Sequence, residues 1–149
     1  MKYLIVLLFL CIPFKEIYAQ NEPTTSLTIS PVHLVLPFLE FTVENYRSPD
    51  TGIAFIFGAG MVEELFAYEL GMQYNYYFIG NYHHGAQFGL EVLAASVSSE
   101  SALHLMMGPQ IGYKVITSSS FTFHIQGGYA FSSFSKHSVI LNLNIGISF

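Results

Sequence analysis

Residues 139–149 read V-I-L-N-L-N-I-G-I-S-F. Val139, Leu141, Leu143, Ile145, Ile147 and Phe149 fall on one face, and Ile140, Asn142, Asn144, Gly146 and Ser148 on the other. Successive side chains of a β-strand point to opposite sides, so this alternation requires one apolar boundary and one mostly polar boundary. A strand of a soluble sandwich also meets that requirement. Here, however, the apolar face continues to an aromatic residue at the end of the sequence, Phe149.

The same alternation recurs upstream in pieces separated by clusters of Ser, Asn, Gly, Pro and Asp. Strands are predicted over Phe38–Tyr46, Ile53–Met61, Tyr68–Phe78, Ala86–Ala94, Leu105–Val115, Phe121–Phe131 and Val139–Phe149. Arg47–Gly52, with its Ser-Pro-Asp-Thr-Gly core, is a strong turn signal because Pro presets φ while Asp and Gly accept turn geometry. Seven strands leave the two ends of a closed antiparallel barrel on opposite sides, so an even number is required. The short alternating segment Leu27–Ser30 is therefore taken as the first strand, followed by a tight connection over His33–Pro37. Pro109 lies inside a predicted strand and removes a ladder donor; the strand assignment survives it, and the position leaves room for a bulge or a one-residue register shift.

Which face is apolar separates the two kinds of barrel. A soluble barrel is apolar inside and polar outside, and a membrane barrel is the reverse. The face opposite the consistently apolar one carries Glu40, Glu44, Glu69, Gln73, Asn75, Gln87, Glu91, His104, Gln110, Lys114, His124, Gln126, Asn142 and Asn144, interspersed with glycines. A solvated face would carry many lysines, whereas the whole chain has 5 Lys and Arg together. Small residues among large polar ones suit a cramped interior. The expected fold is all-β: a transmembrane antiparallel β-barrel of eight strands in an up-and-down meander, with a soluble sandwich as the alternative. Tyr46, Tyr68, Tyr76, Tyr77, Tyr82, Tyr113 and Tyr129 fall near strand ends, where aromatic rings mark a membrane–water boundary; tyrosine is also simply a good strand former.

At the start of the chain, Lys2, the apolar run Leu4–Ile12 and the small residue Ala19 read as a secretory signal peptide over residues 1–19, too short to span a bilayer. The residue before Cys11 is Leu10, which lacks the small side chain a lipoprotein signal places there. The barrel domain is then 20–149, a single domain without cysteine and so without a disulfide. It retains Arg47, Lys114 and Lys136 against nine acidic residues, a formal charge of −6, and such a balance offers no basic patch to nucleic acid.

Alternation, a terminal Phe149 and an export signal together resemble a known class. Residues 139–149 resemble the final strand of bacterial outer-membrane β-barrels, in which a terminal phenylalanine on the lipid face is part of the assembly signal. With Phe38–Tyr46, F-L-E-F-T-V-E-N-Y, the whole mature chain resembles the small, short-loop, eight-stranded barrels of Gram-negative outer membranes. The resemblance implies residence in the cell outer membrane, contact with outer-membrane lipid and with the barrel assembly machinery, and both termini on the periplasmic side. The short loops at the other end leave little room for receptor or adhesion roles.

Eight strands enclose an interior just wide enough for side chains to fill, so no open pore is expected. The inward polar residues should form a hydrogen-bonded network. Glu40, Glu44, Glu69 and Glu91 outnumber Lys114, His104 and His124 as partners, so at least one glutamate is expected to be neutral, or water to enter, because an unpaired buried charge is too costly. No cofactor or metal is expected: adjacent His83 and His84 would point to opposite faces, and zinc wants three or four convergent ligands. The leading function is structural or envelope-associated. One alternative is a lipid A-modifying hydrolase using Ser135 and His137, with Glu63, Glu64 or Glu100 as the acid. The other is a barrel that holds a small apolar ligand of unknown identity, which would want a cavity lined by Phe38, Ile56, Met106 and Ile140.

Overall fold

The structure is a computed structural model and describes residues 22–35, 37–62, 64–98, 103–133 and 137–149. The segment read as a signal peptide lies outside the described residues. Among those described, eight antiparallel strands close into a barrel in sequence order. They are β1 (Thr25–Ile29), β2 (Phe38–Ser48), β3 (Thr51–Val62), β4 (Leu65–Gly80), β5 (His84–Val97), β6 (His104–Ile116), β7 (Phe121–Ser132) and β8 (Ser138–Ser148). A 3-10 turn, His33–Val35, joins β1 to β2. The short first segment is thus a genuine strand, and the meander closes.

Closure runs from Ser26 opposite Ser148 to Ile29 opposite Ile145. It is finished by Phe149, whose carbonyl accepts from the Thr24 and Thr25 amides and whose amide donates to the Thr25 carbonyl. Because β1 stops at Ile29, β8 from Ser138 to Asn144 is laddered to β7 but has no strand partner on its other side among the described residues. Just past β1, Ser30 Oγ reaches that side and donates to Asn142 Oδ1 at 2.6 Å.

Pro109 does not shift the register. Leu90 faces Pro109 on the β5 side. On the β7 side the ladder skips from Met107–Phe131 to Gln110–Gly128 and resumes in the same register. The missing proline donor therefore costs a local gap and not a slip. The irregularities lie instead at Tyr46/Ser48 and Tyr77/Ile79, both at the end that carries the chain termini. Strand β4 is longer than its alternation suggested, running from Leu65 to Gly80 where Tyr68–Phe78 was expected.

The barrel is polar inside and apolar outside. Glu40, Glu44, Gln73, Gln87, Gln110, Lys114, His124, Gln126, Asn142 and Asn144 are buried, while Leu70, Phe88, Ile111, Phe123, Phe131 and Leu141 are exposed on the outer surface. The two-residue period of each strand makes this partition, and the antiparallel registers carry it from strand to strand, apart from the two irregularities at the termini end.

Candidate functional site

The lumen holds two polar clusters, one at the termini end and one at the far end. At the termini end Glu44 is the hub. Its Oε2 accepts from Lys114 Nζ at 2.6 Å, and its Oε1 accepts from Asn75 Nδ2 at 2.7 Å and Tyr77 Oη at 2.8 Å. Lys114 is 1 % exposed, and its Nζ also lies 3.6 Å from the centroid of the Tyr82 ring. A carboxylate so surrounded by donors keeps its charge at a bearable desolvation cost.

Tyr82 reaches this cluster from the β4–β5 turn. Gly80 takes φ +81°, a conformation that suits glycine. Asn81 Oδ1 then accepts from the amides of His83 and His84. The turn leans across the mouth, where the Tyr82 amide donates to the Pro49 carbonyl at 2.8 Å. The ring, wholly buried, drops into the opening, and its hydroxyl donates to the Glu44 carbonyl at 3.0 Å and bonds Ser26 Oγ at 3.1 Å. Tyr77 and Tyr82 are therefore not part of an outer aromatic belt, as their sequence positions suggested; they close the mouth from within. Tyr68, Tyr76, Tyr113 and Tyr129 do lie on the outer surface.

Above Glu44, Gln73 donates to Asn75 Oδ1 and to Gln126 Oε1, and Gln87 also donates to Asn75 Oδ1. A cavity of about 10 Å³ lies here, lined by Glu44, Lys114, His124, Gln126 and Asn144 among others. It has room for about one water molecule. Its polar lining differs from the apolar pocket that a ligand-carrying barrel would need; Phe38 and Ile56 are buried elsewhere, and Met106 and Ile140 are half-buried in the wall.

At the far end, Glu40 accepts from Asn142 Nδ2 at 2.8 Å and pairs with His33 Nδ1 at 2.7 Å. Glu69 and Glu91 face the same space, Glu91 buried and Glu69 half-buried. The partner of Glu40 is thus not one of the histidines expected from the strands. His124 lies beside Lys114 and Glu44, and His104 is half-buried at the start of β6 opposite Ala95. His33 escaped the sequence reading because it sits in a connection, where no periodicity assigns a side chain to one face. The available signal was its distance of a few residues from inward Glu40, next to Phe38, whose ring it meets edge-on at 6.1 Å.

The close contact of the Glu40 carboxylate raises His33 above the ordinary imidazole value of 6.5; burial opposes this, and the charges of Glu40, Glu69 and Glu91 reinforce it. A raised histidine contributes its stabilisation fully below its unfolded value and loses it as pH climbs through the higher folded value. The stability advantage of the wild type over His33→Gln is therefore expected to be full below the ordinary imidazole value of 6.5 and to shrink as pH rises above it. Denaturant midpoints of the two proteins measured on both sides of that value check it, and a constant difference would argue that the pair carries no charge.

The remaining sequence candidates are dispersed. Ser135, Glu63 and Glu100 lie outside the described residues. His137 is exposed and stacks on Tyr129 with ring centroids 5.5 Å apart. His83 and His84 do not converge: His83 Nε2 contacts the Pro23 carbonyl at 2.9 Å, and His84 Nε2 contacts the Tyr113 hydroxyl. The Phe149 side chain is exposed on the outer surface. Compared with known proteins, the chain matches no protein-family model, no curated protein and no solved structure.

Proposed function

We propose that this chain is a small outer-membrane β-barrel with a structural or envelope-associated role, its lumen filled by side chains and not an open pore. The observation that carries the reading is the inverted partition. Large apolar residues cover the outside of every long strand, including Leu70, Leu90, Ile111, Ile125 and Leu141, while carboxylates, amides and a lysine fill the inside. In water such an exterior would drive aggregation. In a bilayer the closed ladder satisfies the backbone, and the apolar wall meets hydrocarbon.

Among the described residues, side chains occupy both mouths, which supports a filled lumen. Tyr82 and Tyr77 occupy the termini end, and His33, Phe38 and Glu40 gather at the far end. No geometry on the described residues favours the lipid A-modifying hydrolase. For this reading, unboiled protein from outer-membrane fractions should migrate differently from boiled protein on a denaturing gel, and the refolded barrel should give no steady conductance in a planar bilayer. Recovery as a freely soluble monomer would sink the membrane assignment, and a stable unit conductance would sink the filled lumen.

A further inference from the structure

The far half of the lumen gathers three carboxylates, Glu40, Glu69 and Glu91, around the His33 imidazole. Lys114 is committed to Glu44 at the other end. Glu40, Glu69 and Glu91 interact electrostatically with one another, and His33 is the basic group among them. Three carboxylates beside one imidazole, shielded from water, need protons or a cation to be tolerated.

The geometry points to a cation. One ring nitrogen of His33 and one carboxylate oxygen each from Glu40 and Glu69 lie within 4.8 Å of one another. The two glutamates reach this point from either side of β3, since Glu40 faces Gly58 and Gly58 faces Glu69. Glycine keeps the space between them open. A Cβ at position 58 would press on Glu69 Oε1, would lie 2.7 Å from Glu69 Cγ, and would lie 2.5 Å from Phe38 Cε1. Glu69 Oε1 is buried and accepts no hydrogen bond from a fixed N–H or O–H donor, and the neighbour that its carboxyl meets is the Glu40 carboxylate. Glu40 is held by a second layer: Asn142 donates to its Oε1 and is itself anchored by Ser30, which leaves Oε2 for the shared space. Outer contacts of this kind orient metal-binding carboxylates.

We propose that His33, Glu40 and Glu69 bind one divalent transition cation of the zinc class, which clamps the 3-10 turn to β2 and β4 across the far mouth. An imidazole among the donors disfavours Ca²⁺ and Mg²⁺, which take oxygen ligands, and suits Zn²⁺ or Co²⁺. Bonds of about 2.0–2.2 Å to a tetrahedral ion set its ligand atoms roughly 3.3 Å apart. Binding therefore requires the close His33–Glu40 pair to open a little and Glu69 to move in. The site needs only the closed barrel and stands whatever surrounds it.

The test uses the untagged mature chain, refolded, stripped with EDTA and titrated with Co²⁺ while visible absorption is recorded. One equivalent should produce ligand-field bands that Zn²⁺ abolishes. His33→Ala and Glu69→Gln should each weaken binding at least about tenfold, whereas a combined His83→Ala, His84→Ala variant should bind as the wild type does. Glu69→Gln is nearly isosteric and keeps the test informative if His33→Ala does not refold. No bands up to millimolar Co²⁺ would assign the charge balance to protons. Bands that survive both far-end substitutions, or that vanish with His83 and His84, would place binding at an adventitious surface position; either result overturns the site.

Discussion

Replacing Lys114 by methionine is expected to destabilise the barrel by about 3–5 kcal/mol, the usual consequence of removing one partner of a buried ion pair. Methionine keeps an unbranched stem as far as Cε and lacks only the ammonium group, so lost packing contributes little. What is lost is the ammonium 2.6 Å from Glu44 Oε2, together with the cation over the Tyr82 ring. Glu44 would then remain charged and buried, with Asn75 and Tyr77 as its remaining side-chain donors. Adding Glu44→Gln to the same protein should recover much of the loss, because a neutral amide needs no counter-charge. The chain has no tryptophan, so far-UV circular dichroism or the ratio of folded to unfolded gel bands is the suitable monitor. A loss below about 1 kcal/mol in the single variant would mean that water reaches Glu44 and screens it.

Leu90→Arg tests the other side of the wall. Leu90 lies mid-strand in β5 between Tyr74 on β4 and Pro109 on β6, and it is 53 % exposed on the outer surface. If hydrocarbon lies against that surface, a guanidinium near mid-depth should cost about 2–4 kcal/mol. If water does, a substitution at so exposed a position should fall within about 0.5 kcal/mol. Folded yield and denaturant midpoint in lipid vesicles measure the difference. The two expectations differ severalfold, so a near-neutral Leu90→Arg would rule out the membrane reading even if the barrel itself were intact.

Which parts of the molecule could be read in advance follows from the range of the physics involved. Alternation over residues such as Tyr68–Phe78 or Val139–Phe149 is a local property with a two-residue period. It therefore announced the strands, their inward and outward faces, and through parity the short β1. Where the period broke, reading failed. Tyr82 and His33 lie in a turn and a connection, and their inward placement depends on the left-handed Gly80, the Asn81 side chain and the 3-10 turn. None of these has a periodic signature. The register shift that Pro109 left open does not occur, since the ladders to β5 and β7 both keep one register across it.

By itself the amino-acid sequence determined that this chain forms eight alternating strands with a polar interior, because each residue's choice of face is made within two or three neighbours. Only the tertiary structure decided who partners whom inside. Glu44 and Lys114 are 70 positions apart, and Glu40 and Asn142 are 102 apart. Which inward side chains meet across a lumen is set by strand stagger and closure, and these quantities belong to the whole sheet and to no segment of it.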